Sequence, residues 1–252
     1  MKLDIQAICH KGLVRENNED ALSIGGLLLR DDSTTLTVST PEDGFFYLLV
    51  SDGMGGHEDG EEASRFALDE IKEQLVLHQI SPERFEDELR EAASYISFKL
   101  NNAAAQRGQS RPMGCTLTGV IWHYGHIWLI NAGDSRSYRF REGVLRQLTT
   151  DDNERGLTGN PDAGKLLLNC LGGGCEGRLL VQSLDGKLLE GDALLICSDG
   201  LTGMVEEAKI LTCLQTITLD QAADDLLDSA LKAGGTDNIS FILIKDDGRM
   251  RE

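Results

Sequence analysis

Hydrophobic and polar positions form short segments that predict β-strands along much of the chain. Residues Leu3–Cys9 alternate between apolar and polar, and Gly44–Ser51 are almost entirely apolar, as in a strand buried on both faces. Later segments of the same kind predict strands at Cys115–His123, His126–Ala132, Arg136–Arg141, Ala193–Cys197 and Ile239–Lys245. Turn residues at Tyr124-Gly125 and Glu142-Gly143 leave only short connections, which favours antiparallel pairing.

Apolar residues at a spacing of three and four predict helices between these strands. One helix is expected over Gly60–Gln79 and a second over Pro82–Gln106, with Ser81 as its N-cap. The break between them is short, so we expect an antiparallel hairpin. A third helix is predicted at Leu219–Lys232, whereas the polar, glycine-rich segment Thr150–Gly174 is predicted to be a surface loop.

The order of these elements indicates the fold class. Strands come first, then a helix pair, then more strands, with a helix and a strand at the end. This order differs from the strict strand–helix alternation of a parallel doubly wound sheet and predicts an α+β fold with antiparallel sheet packed against helices. No internal repeat or linker composition divides the chain, so residues 1–252 are expected to form a single domain.

The charge, the apolar runs and the cysteines of the chain disfavour some classes of binding partner and cellular location. Acidic residues outnumber basic ones 42 to 24, and the net charge of −18 disfavours binding to nucleic acid or to an anionic membrane surface. The longest apolar run, Phe45–Val50, is far too short to span a membrane, and the N-terminus lacks the apolar run of a signal peptide. The 6 cysteines include no CxxC pair. We therefore expect a cytoplasmic monomer with reduced thiols.

Acidic residues cluster where predicted strands end. These clusters are Glu19-Asp20, Asp52-Gly53, Asp199-Gly200 and Asp237-Asn238. A carboxylate at the end of a buried strand is costly unless it is hydrogen-bonded, solvated or neutralised by a cation. Oxygen ligands suit Mg²⁺ or Mn²⁺. Asp-Gly is also a common turn, so spacing alone leaves both interpretations open.

Seven short motifs occur in one order along the chain. They are Arg15-Glu-Asn-Asn-Glu-Asp20, Asp52-Gly-Met-Gly-Gly-His57, Met113-Gly-Cys-Thr116, Asn131-Ala-Gly-Asp-Ser-Arg136, Leu148-Thr-Thr-Asp151, Ser198-Asp-Gly-Leu201 and Gly235-Thr-Asp-Asn-Ile239. This series resembles that of the metal-dependent protein phosphatases of the 2C type in their short bacterial form. The resemblance extends from about residue 5 to residue 244.

The resemblance implies a fold, an activity and partners. The fold is a central antiparallel β-sandwich flanked on both faces by antiparallel helix pairs, a four-layer αββα arrangement. The activity is hydrolysis of phosphoserine and phosphothreonine in proteins by a water activated between two Mn²⁺ or Mg²⁺ ions. The partners are phosphorylated protein substrates and a cognate Ser/Thr kinase system.

The resemblance also implies a set of ion ligands. Asp52 would bridge the two ions, with the carbonyl of Gly53 on one of them. Asp199 and Asp237 would bind the other ion. The pair Glu19-Asp20 would act mostly through water bound to the ions.

Two further residues have competing interpretations. Arg15 would hold the substrate phosphate, since a guanidinium can bind two oxygens at once; alternatively it pairs with Glu16 or Glu19 on the surface. Asp134 would contact a weakly bound third ion; alternatively it pairs with Arg136.

Several positions depart from the family pattern. Gly203 stands where many members have an aspartate that helps to hold the third ion, and Asp152 replaces a frequent histidine. The loop Asn153–Leu166 is shorter than the usual flap, and His57 is a minor candidate for a proton donor. Gly53 and Gly200 are expected to permit tight turns. Two other functions stay open: a non-catalytic domain of the same fold that binds a phosphoprotein, and a phosphatase acting on small molecules.

Overall fold

The computed structural model describes residues 1–55, 58–77, 82–107, 112–160, 163–164, 166–216 and 218–246. The strands are β1 (Lys2–His10), β2 (Asp20–Ile24), β3 (Leu27–Leu29), β4 (Asp32–Ser39), β5 (Phe45–Met54), β6 (Gly114–Cys115), β7 (Leu117–His123), β8 (His126–Ala132), β9 (Arg136–Arg141), β10 (Val144–Gln147), β11 (Leu171–Gly172), β12 (Leu180–Ser183), β13 (Ala193–Cys197) and β14 (Ile239–Asp246). The helices are α1 (Glu58–Leu77), α2 (Phe85–Gln106), α3 (Glu154–Thr158), α4 (Asp199–Thr202), α5 (Glu207–Leu214) and α6 (Leu219–Lys232), with a 3₁₀ turn at Pro82–Arg84.

The strands form two sheets in which neighbours run antiparallel. The first sheet has the order β10-β9-β13-β14-β1-β4. The second has the order β11-β6-β5-β7-β8-β12, and β2 joins it by pairing with β5 while β3 pairs with β2. The predicted antiparallel pairing is therefore confirmed.

Successive side chains along a strand point to opposite faces of its sheet, and both faces of each sheet are covered by apolar clusters. On β13, Leu194 and Ile196 belong to the apolar cluster between the two sheets, whereas Leu195 and Cys197 belong to the cluster beneath α5 and α6. A third cluster joins the second sheet to α1 and α2 through residues such as Leu49. Three apolar clusters between four layers confirm the predicted αββα sandwich.

Several predicted boundaries differ from the observed ones. The strand predicted to end at Ser51 continues to Met54, so Asp52-Gly53 lies inside β5. The predicted loop Thr150–Gly174 contains α3 and the short β11, and the strand predicted at Cys115–His123 is interrupted at Thr116. The predicted N-cap Ser81 and the end of the first predicted helix at Gln79 lie outside the described residues.

Within the described ranges, no helix has both the length and the apolar character needed to cross a bilayer.

Candidate active site

Two carboxylates face each other at one end of the sandwich. Asp20 at the start of β2 pairs in register with Asp52 on β5, which places both side chains on one face of the sheet. Asp20 is only 1% exposed, and its Oδ2 accepts a hydrogen bond of 2.8 Å from Ser198 Oγ. Its Oδ1 is buried and has no hydrogen-bond partner among the described residues. Burial raises the pKa of Asp20 to about 7, and the charge of Asp199 contributes to this rise.

Other carboxylates lie close enough to Asp52 to raise its pKa. Burial is the largest cause, and the charges of Asp20, Asp199, Asp237 and Asp134 follow, so the pKa lies well above its usual range. Like charges that oppose one another's ionisation in this way are typical of a site that is completed by a cation.

Gly53 and Gly200 serve close backbone approach, and their prediction as turn residues was wrong. A Cβ on Gly53 would lie 2.0 Å from the carbonyl oxygen of Gly60 in α1. A Cβ on Gly200 would lie 1.8 Å from the carbonyl oxygen of Asn238. Neither glycine has a positive φ. The missing side chains let α1 and α4 approach the strands that carry the carboxylates.

Asn238 fixes the segment that precedes β2. Its Oδ1 accepts a hydrogen bond of 2.9 Å from the Glu19 backbone N–H. Its Nδ2 donates to the carbonyls of Lys11 at 2.9 Å and Asn17 at 3.0 Å. One amide side chain therefore ties Arg15 and Glu19, which lie on this segment, to the strand end that carries Asp237.

Arg15 lies at the exposed side of the cluster. Its Nη2 donates to Asp237 Oδ2 at 2.9 Å, and its side chain is 49% exposed. Arg15 thus forms an ion pair with Asp237, a proposed ion ligand, and the charge of Glu19 contributes to raising the pKa of Arg15. A guanidinium in this position can reach a group that enters the site from solvent.

Among the described residues Arg136 pairs with Asp151 and not with Asp134, so the alternative pairing was wrong, although Asp134 and Arg136 line the same cavity. Arg136 forms a forked ion pair with Asp151, with Nε–Oδ1 of 2.8 Å and Nη2–Oδ2 of 2.7 Å. Burial raises the pKa of Asp134 to about 7, and the charge of Asp199 adds to this effect. Asp134, Asp199 and Gly203 line one small cavity.

Buried hydroxyl groups form hydrogen bonds with the backbone or the side chains of the carboxylate residues. The sequence did not predict these hydrogen bonds. Thr116 Oγ1 accepts a hydrogen bond of 3.0 Å from the Asp52 backbone N–H and lies 2.7 Å from Ser135 Oγ in the loop between β8 and β9. Ser198 Oγ donates to Asp20, as described above, and accepts from the Ser240 backbone N–H at 3.2 Å. Three of these residues lie within recognised motifs, but residue type alone gave no sign of their hydrogen bonds.

The remaining candidates occupy more peripheral positions. Asp152 Oδ2 accepts from the Gly133 backbone N–H at 2.9 Å and from Asn169 Nδ2 at 2.6 Å, so it supports the loop that carries Asp134. His57 lies outside the described residues.

The donor set suits hard divalent cations. Within the described ranges, no three His, Cys, Asp or Glu side chains already form a closed metal-ligating group. The site instead offers separate carboxylates, an unpartnered Asp20 Oδ1 and mutual repulsion. Oxygen donors of this sort fit Mg²⁺ or Mn²⁺, which keep several waters in their coordination shell.

The family, sequence and structure comparisons all match this chain to protein phosphatases. The profile of the family described as Protein phosphatase 2C matches residues 24–233. The serine/threonine phosphatase stp of Listeria monocytogenes is 32% identical over 253 residues, covering 94% of this chain and 93% of that protein. The structure of Stp1, a serine/threonine phosphatase from Staphylococcus aureus, superposes with a TM-score of 0.78 at 27% identity, covering 98% of this chain and 96% of that one. The catalytic domain of the serine/threonine protein phosphatase PstP, a name carried by a Mycobacterium tuberculosis protein, was solved with two manganese ions. It superposes with a TM-score of 0.73 at 27% identity, covering 96% of this chain and 98% of that one.

Proposed function

Because this chain belongs to the protein phosphatase 2C family, we propose that its carboxylate cluster is the catalytic centre of a metal-dependent phosphatase. The chain is a serine/threonine phosphatase that uses two divalent cations and acts on phosphoproteins. The observation that carries the assignment of the centre is the in-register pair Asp20–Asp52, with a buried Oδ1 on Asp20 that has no partner. Release of phosphate from phosphopeptides with and without added cation tests this proposal.

Each carboxylate has a proposed place around the two ions. Asp52 would help to hold both ions, the Gly53 carbonyl would help to hold one, and Asp199 and Asp237 would hold the other. The pair Glu19-Asp20 acts through bound water, in accord with the deep burial of Asp20 behind Asp52. When bound, the cations would supply a water of lowered pKa as nucleophile and would neutralise the charge that develops on the phosphoryl group.

Arg15 binds and orients the phosphate group. In the free site its guanidinium donates to Asp237. A cation bound to Asp237 would draw on the same carboxylate oxygens, which leaves the Arg15 N–H groups available to the phosphate oxygens. A guanidinium holds two such oxygens in a fixed orientation, and this orientation favours in-line attack.

Asp134 is the proposed ligand of a third, weakly held ion. Its pKa is raised by burial and then by Asp199, which places its carboxyl in the field of the main cluster. Gly203 lines the same cavity and offers no carboxylate. A site with so few anionic oxygens retains mostly water and is occupied only at high metal concentration.

The last part of the proposal concerns the kinase that the chain opposes, its compartment and its oligomeric state. A phosphoserine or phosphothreonine substrate must be produced by a kinase, so the chain is proposed to oppose a Ser/Thr kinase in signalling. We also propose that it acts as a cytoplasmic monomer. Each of its 6 cysteines is free, as expected in a reducing compartment.

A further inference from the structure

A cleft with basic walls opens at the edge of the sandwich, at a distance from the carboxylate cluster. We call it the basic cleft; its cationic lining residues are Arg139, Arg141, Arg146 and Lys187, and its volume is about 600 Å³. Arg139 lies three residues along β9 from Arg136, which corresponds to about 10 Å of strand. Such a concentration of positive charge is unusual on a chain with a net charge of −18.

Two of these arginines directly oppose each other. Arg139 on β9 pairs in register with Arg146 on β10, so their side chains project from the same face of the sheet. Like charges in this arrangement destabilise a strand pair. Among the described residues, neither guanidinium has a carboxylate within ion-pair distance. An anion held between them would remove the repulsion.

Arg139 has unused hydrogen-bonding capacity inside the protein. Its Nη1 donates to the Lys187 carbonyl at 3.0 Å, but its Nε is buried and has no hydrogen-bond partner among the residues that the structure describes. Arg141 differs, because it forms a forked pair with Asp192, with Nε–Oδ1 and Nη2–Oδ2 both 2.6 Å. Among the described residues, Arg139 and Arg146 therefore have no ion-pair partner, although the charge of Arg139 helps to lower the pKa of Asp192.

We propose that the basic cleft binds a phosphate group, as a second phosphate site distinct from the catalytic centre. Two opposed guanidiniums present more N–H donors than one carboxylate with two oxygens can accept, whereas a phosphate dianion has enough oxygens for both. The floor of the cleft is apolar, formed by Leu129, Leu148 and Leu184 at the edge of the core between the sheets. Weak hydration of this floor strengthens the attraction between the guanidiniums and the anion.

A phosphate group can reach the cleft from two sources. One is a free phosphate or small phosphate monoester. The other is a second phosphoryl group on a protein substrate, an option that rests on the proposed function. A doubly phosphorylated peptide would then place one phosphoryl group in the catalytic centre and the other in the cleft.

Calorimetric titration of inorganic phosphate into the full-length chain separates the two sites. In Mg²⁺ the wild type should bind phosphate at the catalytic centre and in the cleft, and in EDTA only in the cleft. Arg146→Gln should weaken the binding seen in EDTA at least tenfold. Arg65→Gln removes an exposed arginine of α1 and serves as the matched control, and Arg15→Ala should leave the EDTA binding intact.

The same titration can overturn the proposal. Absence of millimolar phosphate binding by the wild type in EDTA, or binding that Arg146→Gln does not weaken, would refute the second site. Equal binding of a glutamate-rich, unphosphorylated peptide would refute its selectivity for phosphate. This titration measures phosphate binding and not catalysis. A negative result would therefore refute the second phosphate site without bearing on the proposed function.

Peptides with one or two phosphoserines identify the source. If the cleft takes a phosphoryl group of the substrate, a doubly phosphorylated peptide with a spacing of three to six residues should have a KM several-fold lower than its singly phosphorylated form. Arg146→Gln should abolish this difference. If the variant loses phosphate binding in EDTA while the two KM values stay unchanged, the ligand is a free phosphate or small monoester.

Charge reversal tests the opposed arginines without any ligand. Arg146→Glu would replace a repulsive cross-strand pair by an attractive one, so the phosphate-free melting temperature should rise by about 1–3 °C. The melting temperature of Arg146→Gln should lie between those of Arg146→Glu and the wild type. A fall in melting temperature with Arg146→Glu would show that the two guanidiniums do not repel each other, which removes the basis of the proposal.

Discussion

Asp20 and Asp52 stand directly opposite each other on β2 and β5, and Asp20 is the more deeply buried of the two. Its Oδ2 accepts a hydrogen bond from Ser198, while its Oδ1 has no hydrogen-bond partner in the part of the chain that the structure describes. A buried pair of like charges is unfavourable for the isolated chain, so the same geometry that prepares a cation site also weakens the metal-free fold.

The metal-free stability of Asp20→Asn should depend on pH differently from that of the wild type. The pKa of Asp20 is raised by burial from 3.8 to about 7. Between these values the folded chain keeps a proton that the unfolded chain has lost, so this group stabilises the fold at low pH and the contribution is lost as pH rises toward 7. Asparagine does not titrate. Urea unfolding in EDTA should therefore show Asp20→Asn gaining stability relative to the wild type between pH 5 and pH 8; a constant difference would argue against a raised pKa.

Removing a proposed ion ligand should reduce turnover and spare the fold. Asp52→Ala and Asp237→Ala should each lower kcat by about two to four orders of magnitude, as expected for loss of an electrostatic catalytic element. The metal-free melting temperature of Asp52→Ala should not fall, because the substitution relieves repulsion. Asp69→Ala, at an exposed position on α1, is the matched control. A near wild-type rate for either variant would mean that the centre lies elsewhere.

Arg15 should affect substrate binding more than metal binding. Arg15→Ala should raise KM for a phosphopeptide by about tenfold or more, since it removes charge-assisted hydrogen bonds to the phosphate. Arg15→Lys, which keeps the charge but not the fork, should recover only part of the loss. Because Arg15 competes for Asp237, Mn²⁺ affinity should be unchanged or slightly higher in Arg15→Ala. A large loss of Mn²⁺ affinity would instead show that Arg15 organises the carboxylates.

A carboxylate at position 203 should strengthen binding of the third ion. Gly203→Asp should lower the metal concentration for half-maximal activity if this ion assists catalysis. Gly203 has a helical backbone conformation, but a Cβ there would lie 2.8 Å from the Asp199 carbonyl oxygen. Gly203→Ala is therefore the control, because it introduces the same contact without a charge. Equal metal dependence of the two variants would contradict a role for the added carboxylate.

Much of the fold could be predicted because hydrophobic periodicity reports burial directly. The bounds of β8, β9, β13 and α6 agree with those predicted. The strands that were missed, such as β4 and β10, are edge strands with one exposed face and weaker patterns. Tertiary contacts decide whether such segments pair.

The candidate site could be predicted only in its residue types. Motif order indicated Asp52, Asp199 and Asp237, but it did not indicate that Gly53 lies against α1 or that Asn238 holds the Glu19 segment. The pairing of Arg136 with Asp151 joins residues that belong to separate motifs. These contacts depend on how sheets and helices meet, and no local pattern encodes that.

The most direct test of the account is phosphate release from phosphoserine and phosphothreonine peptides across a titration of Mn²⁺, beginning in excess EDTA. Two-cation catalysis predicts no turnover in the chelator, full turnover at millimolar Mn²⁺ or Mg²⁺, and reversal when EDTA is restored. Peptide binding without turnover at every metal concentration would support the non-catalytic alternative. Full turnover in the chelator would contradict the two-cation centre itself.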